Sequence, residues 1–68
     1  FDEVVKACDE VLKIDPNNTT ALMRMGSAYY MMKDYGNAKL MWERILAIEP
    51  ENVEAQTFIL EINKLLEQ

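Results

Sequence analysis

Few side chains in this sequence could take part in nucleophilic or acid–base chemistry. The sequence has no histidine, the residue most often used as a general acid or base, and it has a single cysteine, Cys8. A cysteine reacts as the thiolate, which needs a neighbouring base or cation to form at neutral pH. Cys8 lies on the apolar side of a predicted helix, where packing in the core is the expected role.

The carboxylates also fail to form a catalytic or metal-binding pattern. Asp15 begins an Asp-Pro-Asn-Asn segment that carries oxygen ligands, but the segment lacks the length and the closing Glu of a calcium loop. Glu51 and Glu54 lie at the start of a predicted helix, where the helix dipole favours acidic side chains. We therefore expect no enzymatic activity, no metal and no cofactor.

Charge and composition restrict the possible partners. The net charge of −5 argues against nucleic acid, because such binding depends on Lys and Arg neutralising phosphates. No apolar run reaches the length of a membrane span, and no signal-peptide pattern is visible. These features favour a cytoplasmic location. With nucleic acid and membranes disfavoured, we expect the partner to be a protein or a peptide.

Apolar residues recur at helical spacing along the central part of the sequence. Two sets each follow the i, i+3, i+4, i+7 or a closely related pattern, which predicts two amphipathic helices facing each other. Gly26 and Ala38 are small at the expected point of closest approach, and Gly in a helix interior suggests a packing role. The two sets are Leu22, Met25, Gly26 and Tyr29, then Ala38, Trp42, Ile45 and Leu46.

The same pattern recurs with a fixed period. Pro16 and Pro50 are 34 positions apart, and each follows a predicted helix and precedes an Asn that can cap the next one. Further pairs at this offset are Leu12 with Leu46, Ile14 with Ile48, Asn18 with Asn52 and Ala21 with Ala55.

These residues resemble the tetratricopeptide repeat, whose pattern over 34 residues is W-x2-L-G-x2-Y, A-x3-F and a closing P. Leu22 is in the Trp position, Met25 is in the Leu position and Trp42 is in the Phe position, while Gly26 is identical. The resemblance implies an all-α fold, an antiparallel helix-turn-helix array of the α-solenoid type.

The sequence predicts four helices in a single domain over residues 1–68. In the register of the family, residues 1–15 are the second helix of a truncated repeat, residues 19–50 are one complete repeat and residues 53–68 are a terminal capping helix. Asn18 and Asp34 are expected to cap helices, although Asn18 also begins a glycosylation sequon. The expected helices are Phe1–Ile14, Thr19–Met32, Tyr35–Ile48 and Val53–Glu67.

The last helix departs from the family pattern. Gln56 and Asn63 occupy the positions that Leu22 and Tyr29 hold in the central repeat. The face that would receive a following helix is therefore partly polar, as expected at the end of an array.

The resemblance implies that the first helix of each repeat lines a concave groove. Its Met and aromatic side chains suit adaptable recognition of an apolar segment that can also carry a basic residue. The family's carboxylate clamp is not expected, because only Arg24 matches it and Glu54 and Glu61 would repel a carboxylate. Met23, Tyr30 and Phe58 are expected to be exposed without supporting the core. The predicted groove residues are Thr20, Met23, Arg24, Ser27, Tyr30, Met31, Thr57, Phe58 and Glu61.

Two functions follow from this interpretation. The first is a non-enzymatic module that binds a peptide or helix of a partner protein in the groove. The alternative is a structural or self-association segment of a longer scaffold, with no ligand in the groove. An apolar strip on the first helix is the candidate for self-association and a homo-oligomer, and it comprises Phe1, Val4, Cys8 and Val11.

Overall fold

The computed structural model describes residues 2–67, and within this range the chain is all α, with no strand. The all-α prediction is confirmed. Two of the predicted helix ends, Met32 and Glu67, lie one residue beyond the ends in the structure, and the predicted start at Phe1 lies outside the described residues. The helices are α1 (Asp2–Ile14), α2 (Thr19–Met31), α3 (Tyr35–Ile48) and α4 (Val53–Leu66).

Short polar side chains start the last three helices. The Oδ1 atom of Asn18 accepts a hydrogen bond from the backbone N–H of Ala21 at 3.1 Å, and Asn52 accepts from Ala55 at 3.0 Å. Asp34 caps α3 in the same way over a longer distance of 3.5 Å. Each cap satisfies one of the free N–H groups of the first turn.

The turn between α2 and α3 reverses the chain within a few residues. Lys33 adopts a left-handed conformation with φ of 62°. Its N–H donates to the carbonyl of Tyr30 at 3.0 Å, and the N–H of Asp34 donates to the carbonyl of Tyr29 at 2.9 Å. This pair of bonds is a Schellman motif, which usually has Gly at the left-handed position. The short turn brings α2 and α3 together as antiparallel neighbours.

The helices pack in sequence order. Within residues 2–67, the backbones of α1 and α2, of α2 and α3, and of α3 and α4 pack closely, and no other pair of helix backbones does. The resulting slab measures 35 × 27 × 13 Å. One core runs through all three contacts, and its buried residues are Cys8, Leu12, Ala21, Leu22, Met25, Ala38, Trp42, Ile45, Ala55 and Ile62.

Trp42 lies at the centre of this core, with 1% of its surface exposed. Its indole lies directly against Gly26, where a Cβ atom would be 2.6 Å from Nε1. The indole also stacks on the ring of Phe58, with centroids 4.3 Å apart and planes 3° from parallel. Trp42 therefore joins α2, α3 and α4, and the packing role expected for Gly26 is the accommodation of this ring.

A candidate interaction groove

An apolar hollow of about 510 Å³ opens along α2 and α4 above the indole of Trp42. Most of its lining residues are apolar, with methionine and aromatic side chains among them, and three have polar or charged side chains, namely Arg24, Ser27 and Glu54. The lining residues are Val4, Met23, Arg24, Ser27, Ala28, Met31, Trp42, Glu54 and Phe58.

The structure brings five of the nine predicted groove residues to this hollow, namely Met23, Arg24, Ser27, Met31 and Phe58. Thr20 instead lines a second hollow beside α1. Tyr30, Thr57 and Glu61 do not line the main hollow.

Sequence reasoning missed the contribution of Trp42 to the groove. Its place on the apolar stripe of α3 indicated burial between two helices, and that burial is observed. The stripe alone did not show that the ring also underlies the groove. The remaining unpredicted lining residues are Val4, Ala28 and Glu54.

The expectation that Met23, Tyr30 and Phe58 are exposed and do not support the core is wrong. All three are half-buried and pack against the core. Phe58 stacks on Trp42, and its ring centroid is 5.6 Å from that of Tyr30 in an edge-on contact. The expectation considered only the contact between α2 and α3, whereas Phe58 of α4 also reaches both of these helices through its contacts with Tyr30 and Trp42.

Tyr30 also forms a polar link to α4. Its hydroxyl donates to Oε2 of Glu61 at 3.4 Å. Desolvation raises the pKa of Tyr30 above its ordinary value of 10.0, and the negative charge of Glu61 and this hydrogen bond raise it further. The linked pair connects α2 to α4, so Glu61 has a structural contact although it does not line the hollow.

The edge of the hollow carries one side chain of each charge. Arg24 and Glu54 are both exposed, and neither forms an ion pair within residues 2–67. Arg24 is positioned on α2 and Glu54 in the first turn of α4. Both charges are therefore available to a ligand in the hollow.

The strip predicted on α1 is only partly exposed. Val4 and Val11 are 44% and 41% exposed, as expected, and Phe1 lies outside the described residues. Cys8 does not belong to an uncovered strip, because it is 6% exposed and buried in the core cluster with residues of α2. Its predicted packing role is confirmed. The exposed apolar side of α1 includes Ile14, which is 88% exposed.

The outer face of α4 combines polar and apolar residues. The side-chain amide of Gln56 donates to the carbonyl of Pro50 at 2.9 Å, which holds it against the start of its own helix. Val53 and Leu60 are nevertheless 70% and 64% exposed. A role of α4 as a terminal capping helix stays a prediction.

None of the helices in residues 2–67 combines the length and the apolar content needed to span a lipid bilayer.

No protein-family model matches the chain. Curated relatives match at low identity over most of its length. Peptidyl-prolyl cis-trans isomerase FKBP4 of Mus musculus is 30% identical over 57 residues, which is 84% of this chain and 12% of that protein. The DnaJ protein P58IPK homolog of Arabidopsis thaliana is 34% identical over 58 residues, or 85% of this chain and 12% of that protein. Sperm-associated antigen 1 of Homo sapiens is 26% identical over 66 residues, or 97% of this chain and 7% of that protein.

The chain thus spans 7% to 12% of the length of these relatives. They contain tetratricopeptide repeats. Together with the four helices and the 34-residue recurrence, the matches are compatible with a fragment of a tetratricopeptide array.

Proposed function

We propose that this chain is a non-catalytic protein–protein interaction module whose hollow along α2 and α4 binds a peptide or helix of a partner protein. The observation that carries the proposal is the apolar hollow of about 510 Å³ with Trp42 beneath it. Its volume lies in the range of pockets that bind small ligands or a few side chains, which is about 300–1,000 Å³. The repeat-containing relatives support an interaction role at a coarse level.

The side chains of the hollow favour an apolar segment as the ligand. Met23 and Met31 are flexible and polarisable, so they can adapt to differently shaped apolar groups. Phe58 and Trp42 are fixed by their mutual stacking and provide a rigid surface beside them. The ligand is therefore expected to place two or three apolar side chains in the hollow.

The two charged side chains at the edge of the hollow would favour one direction of the bound segment. A basic residue of the ligand would pair with Glu54, and an acidic residue would pair with Arg24. Such exposed pairs add little affinity, typically up to about 1 kcal/mol each, but they select one direction of the bound segment.

The methionines provide a direct test by NMR. Peptides selected from a random displayed library against the chain would be titrated into protein labelled with ¹³C at the methionine methyl groups. Binding in the hollow should shift Met23 and Met31 and leave the other three nearly unchanged, because these lie outside the hollow. The three internal controls are Met25, Met32 and Met41.

A pair of variants completes the test. Met31 is 64% exposed, so Met31→Glu should fold normally and place a charge in the hollow. Loss of a binding hot spot costs about 2 kcal/mol, or roughly 30-fold in affinity. Leu40→Glu, at a residue that is 54% exposed and outside the hollow, should bind as tightly as the unchanged chain. Selected peptides that shift only the three control methyl groups, or a library without binders, would favour the alternative of a structural segment.

A further inference from the structure

Two helix faces at opposite ends of the array have exposed apolar residues and no helix packed on them within residues 2–67. One is the outer face of α1, with Val4 and Val11, and the other is the outer face of α4, with Val53 and Leu60. The 34-residue offset aligns α1 with α3 and α2 with α4. An α4 followed by an α1 is therefore equivalent to the pair α2 and α3.

We propose that copies of this chain associate head to tail, with α4 of one copy packing against α1 of the next copy as α2 packs against α3. Each contact would complete one repeat from two copies. This inference does not depend on a ligand in the hollow along α2 and α4.

The side chains at the closest approach have complementary sizes. In the pair α2 and α3, the small Gly26 receives the large Trp42. At the equivalent positions, α4 has the large Leu60 and α1 has the small Cys8. A Leu in the position of Gly26 could not face a Trp at this spacing, but it can face a Cys. The exchange of large for small on both helices at once preserves the volume that close packing requires.

The structure also contains a hollow at the position that this pairing would fill. Cys8 and Val11 line a hollow of about 400 Å³ between α1 and α2. Its lining includes Cys8 at the position equivalent to Trp42 and Arg24 at the position equivalent to Phe58. Leu60 of a second copy, 64% exposed when alone, is the side chain that the pairing directs toward Cys8.

The exposure of neighbouring residues agrees with this arrangement. Val4 and Val11 correspond to Ala38 and Ile45, which are fully buried between α2 and α3. Val4 and Val11 are 44% and 41% exposed in the single chain, so a second copy would bury apolar surface at both positions.

Two polar residues fall in the proposed contact, namely Asn63, which corresponds to Tyr29, and Gln56, which corresponds to the buried Leu22. The amide of Gln56 already donates to the carbonyl of Pro50 at 2.9 Å. A second copy can therefore cover Gln56 without leaving this donor unpaired, which removes much of the cost of burying an amide.

The proposed contact joins two different surfaces, so it does not close on itself as a two-fold contact would. The molar mass should rise continuously with concentration rather than reach a plateau at the dimer. A symmetric contact between two α1 helices would instead stop at two copies and would not involve Leu60.

Sedimentation equilibrium from micromolar to millimolar concentration tests the proposal with three variants. Leu60→Asp blocks the α4 face, and Val11→Lys blocks the α1 face. Leu40→Asp is the matched control, because Leu40 is an exposed leucine on α3 that belongs to neither face. Circular dichroism establishes that each variant has the helix content and melting behaviour of the unchanged chain.

The unchanged chain and Leu40→Asp should show a molar mass that rises with concentration, and Leu60→Asp should stay monomeric. An equimolar mixture of Leu60→Asp with Val11→Lys should form dimers only, since each variant retains one competent face. If Val11→Lys does not fold, Leu60→Asp and Leu40→Asp alone decide the question. An unchanged chain that stays monomeric at millimolar concentration would overturn the proposal and leave both faces to other segments or proteins. Association of Leu60→Asp like that of the unchanged chain would overturn it in favour of the symmetric contact.

Discussion

The contact between Gly26 and Trp42 sets the spacing of α2 and α3. A Cβ atom at position 26 would be 2.6 Å from the indole nitrogen, and Trp42 is too well buried to move aside freely. Overpacking of this kind costs about 1–3 kcal/mol, and the higher helix propensity of Ala than of Gly offsets up to about 1 kcal/mol of this cost. We expect Gly26→Ala to lower the free energy of unfolding in urea denaturation.

Gly36 provides the matched control for this prediction. It is exposed in the first turn of α3, and apart from its own stretch of helix nothing lies within 4 Å of an added Cβ atom. Gly36→Ala should therefore stabilise the chain by up to about 1 kcal/mol. Combining Gly26→Ala with Trp42→Phe should cost less than the sum of the two single changes, because the smaller ring leaves space for the methyl group. Strict additivity would show that the contact does not limit the helix spacing.

Ionisation of Tyr30 makes the free energy of unfolding depend on pH in the alkaline range. Its pKa is raised above 10.0 by desolvation and by the carboxylate of Glu61, so the folded state holds the phenol proton more tightly than the unfolded chain. The corresponding stabilisation is fully present below pH 10.0 and is lost as the pH rises through the raised pKa.

Absorbance titration of the phenolate, taken as the difference between the unchanged chain and Tyr30→Phe, should give a midpoint above 10.0. Glu61→Gln should lower this midpoint, because it removes the negative charge and keeps most of the desolvation. A midpoint at the ordinary value in both proteins would contradict the contact between Tyr30 and Glu61.

The left-handed conformation of Lys33 in the turn between α2 and α3 should affect the stability of the fold. Lys33 holds the left-handed position of the Schellman motif, at a cost of about 1 kcal/mol for a residue with a Cβ atom. Lys33→Gly relieves this cost but also increases the conformational entropy of the unfolded chain. We expect a net stabilisation of up to about 1 kcal/mol by thermal unfolding.

Lys6→Gly in the exposed part of α1 should have the opposite sign and destabilise by about 1 kcal/mol. If both changes destabilise equally, the backbone at position 33 is not strained and the turn does not limit stability.

The boundaries of the helices could be predicted because their signals are local. Asn18 and Asn52 accept hydrogen bonds only three residues away, and Pro16 and Pro50 lie next to the helix ends that they favour. The Schellman motif could not be predicted in the same way, since Lys33 lacks the usual Gly signature. Its geometry follows from the packing of α2 on α3, which forces a short reversal.

At the scale of the whole molecule, the sequence predicts which side of α2 forms the groove, but it does not predict how far each side chain is buried. The resemblance placed Met23 and Met31 on one flank, and the hollow includes both. The predicted groove includes Phe58 and Tyr30, yet both also pack against the core. Helical periodicity describes one interface per helix, whereas α2 and α3 each pack between two neighbours.

The order of helix contacts also affects how fast this chain folds. Within residues 2–67 close backbone packing joins only helices that are adjacent in sequence. The α2 helix reaches α4 through side chains, as in the contact of Tyr30 with Glu61, so few contacts require the closure of a long loop. Proteins dominated by such local contacts have a low contact order and fold within microseconds to milliseconds. We therefore expect rapid folding that starts at α2 and α3, where Gly26 and Trp42 interlock, and then extends outward in both directions to α1 and α4.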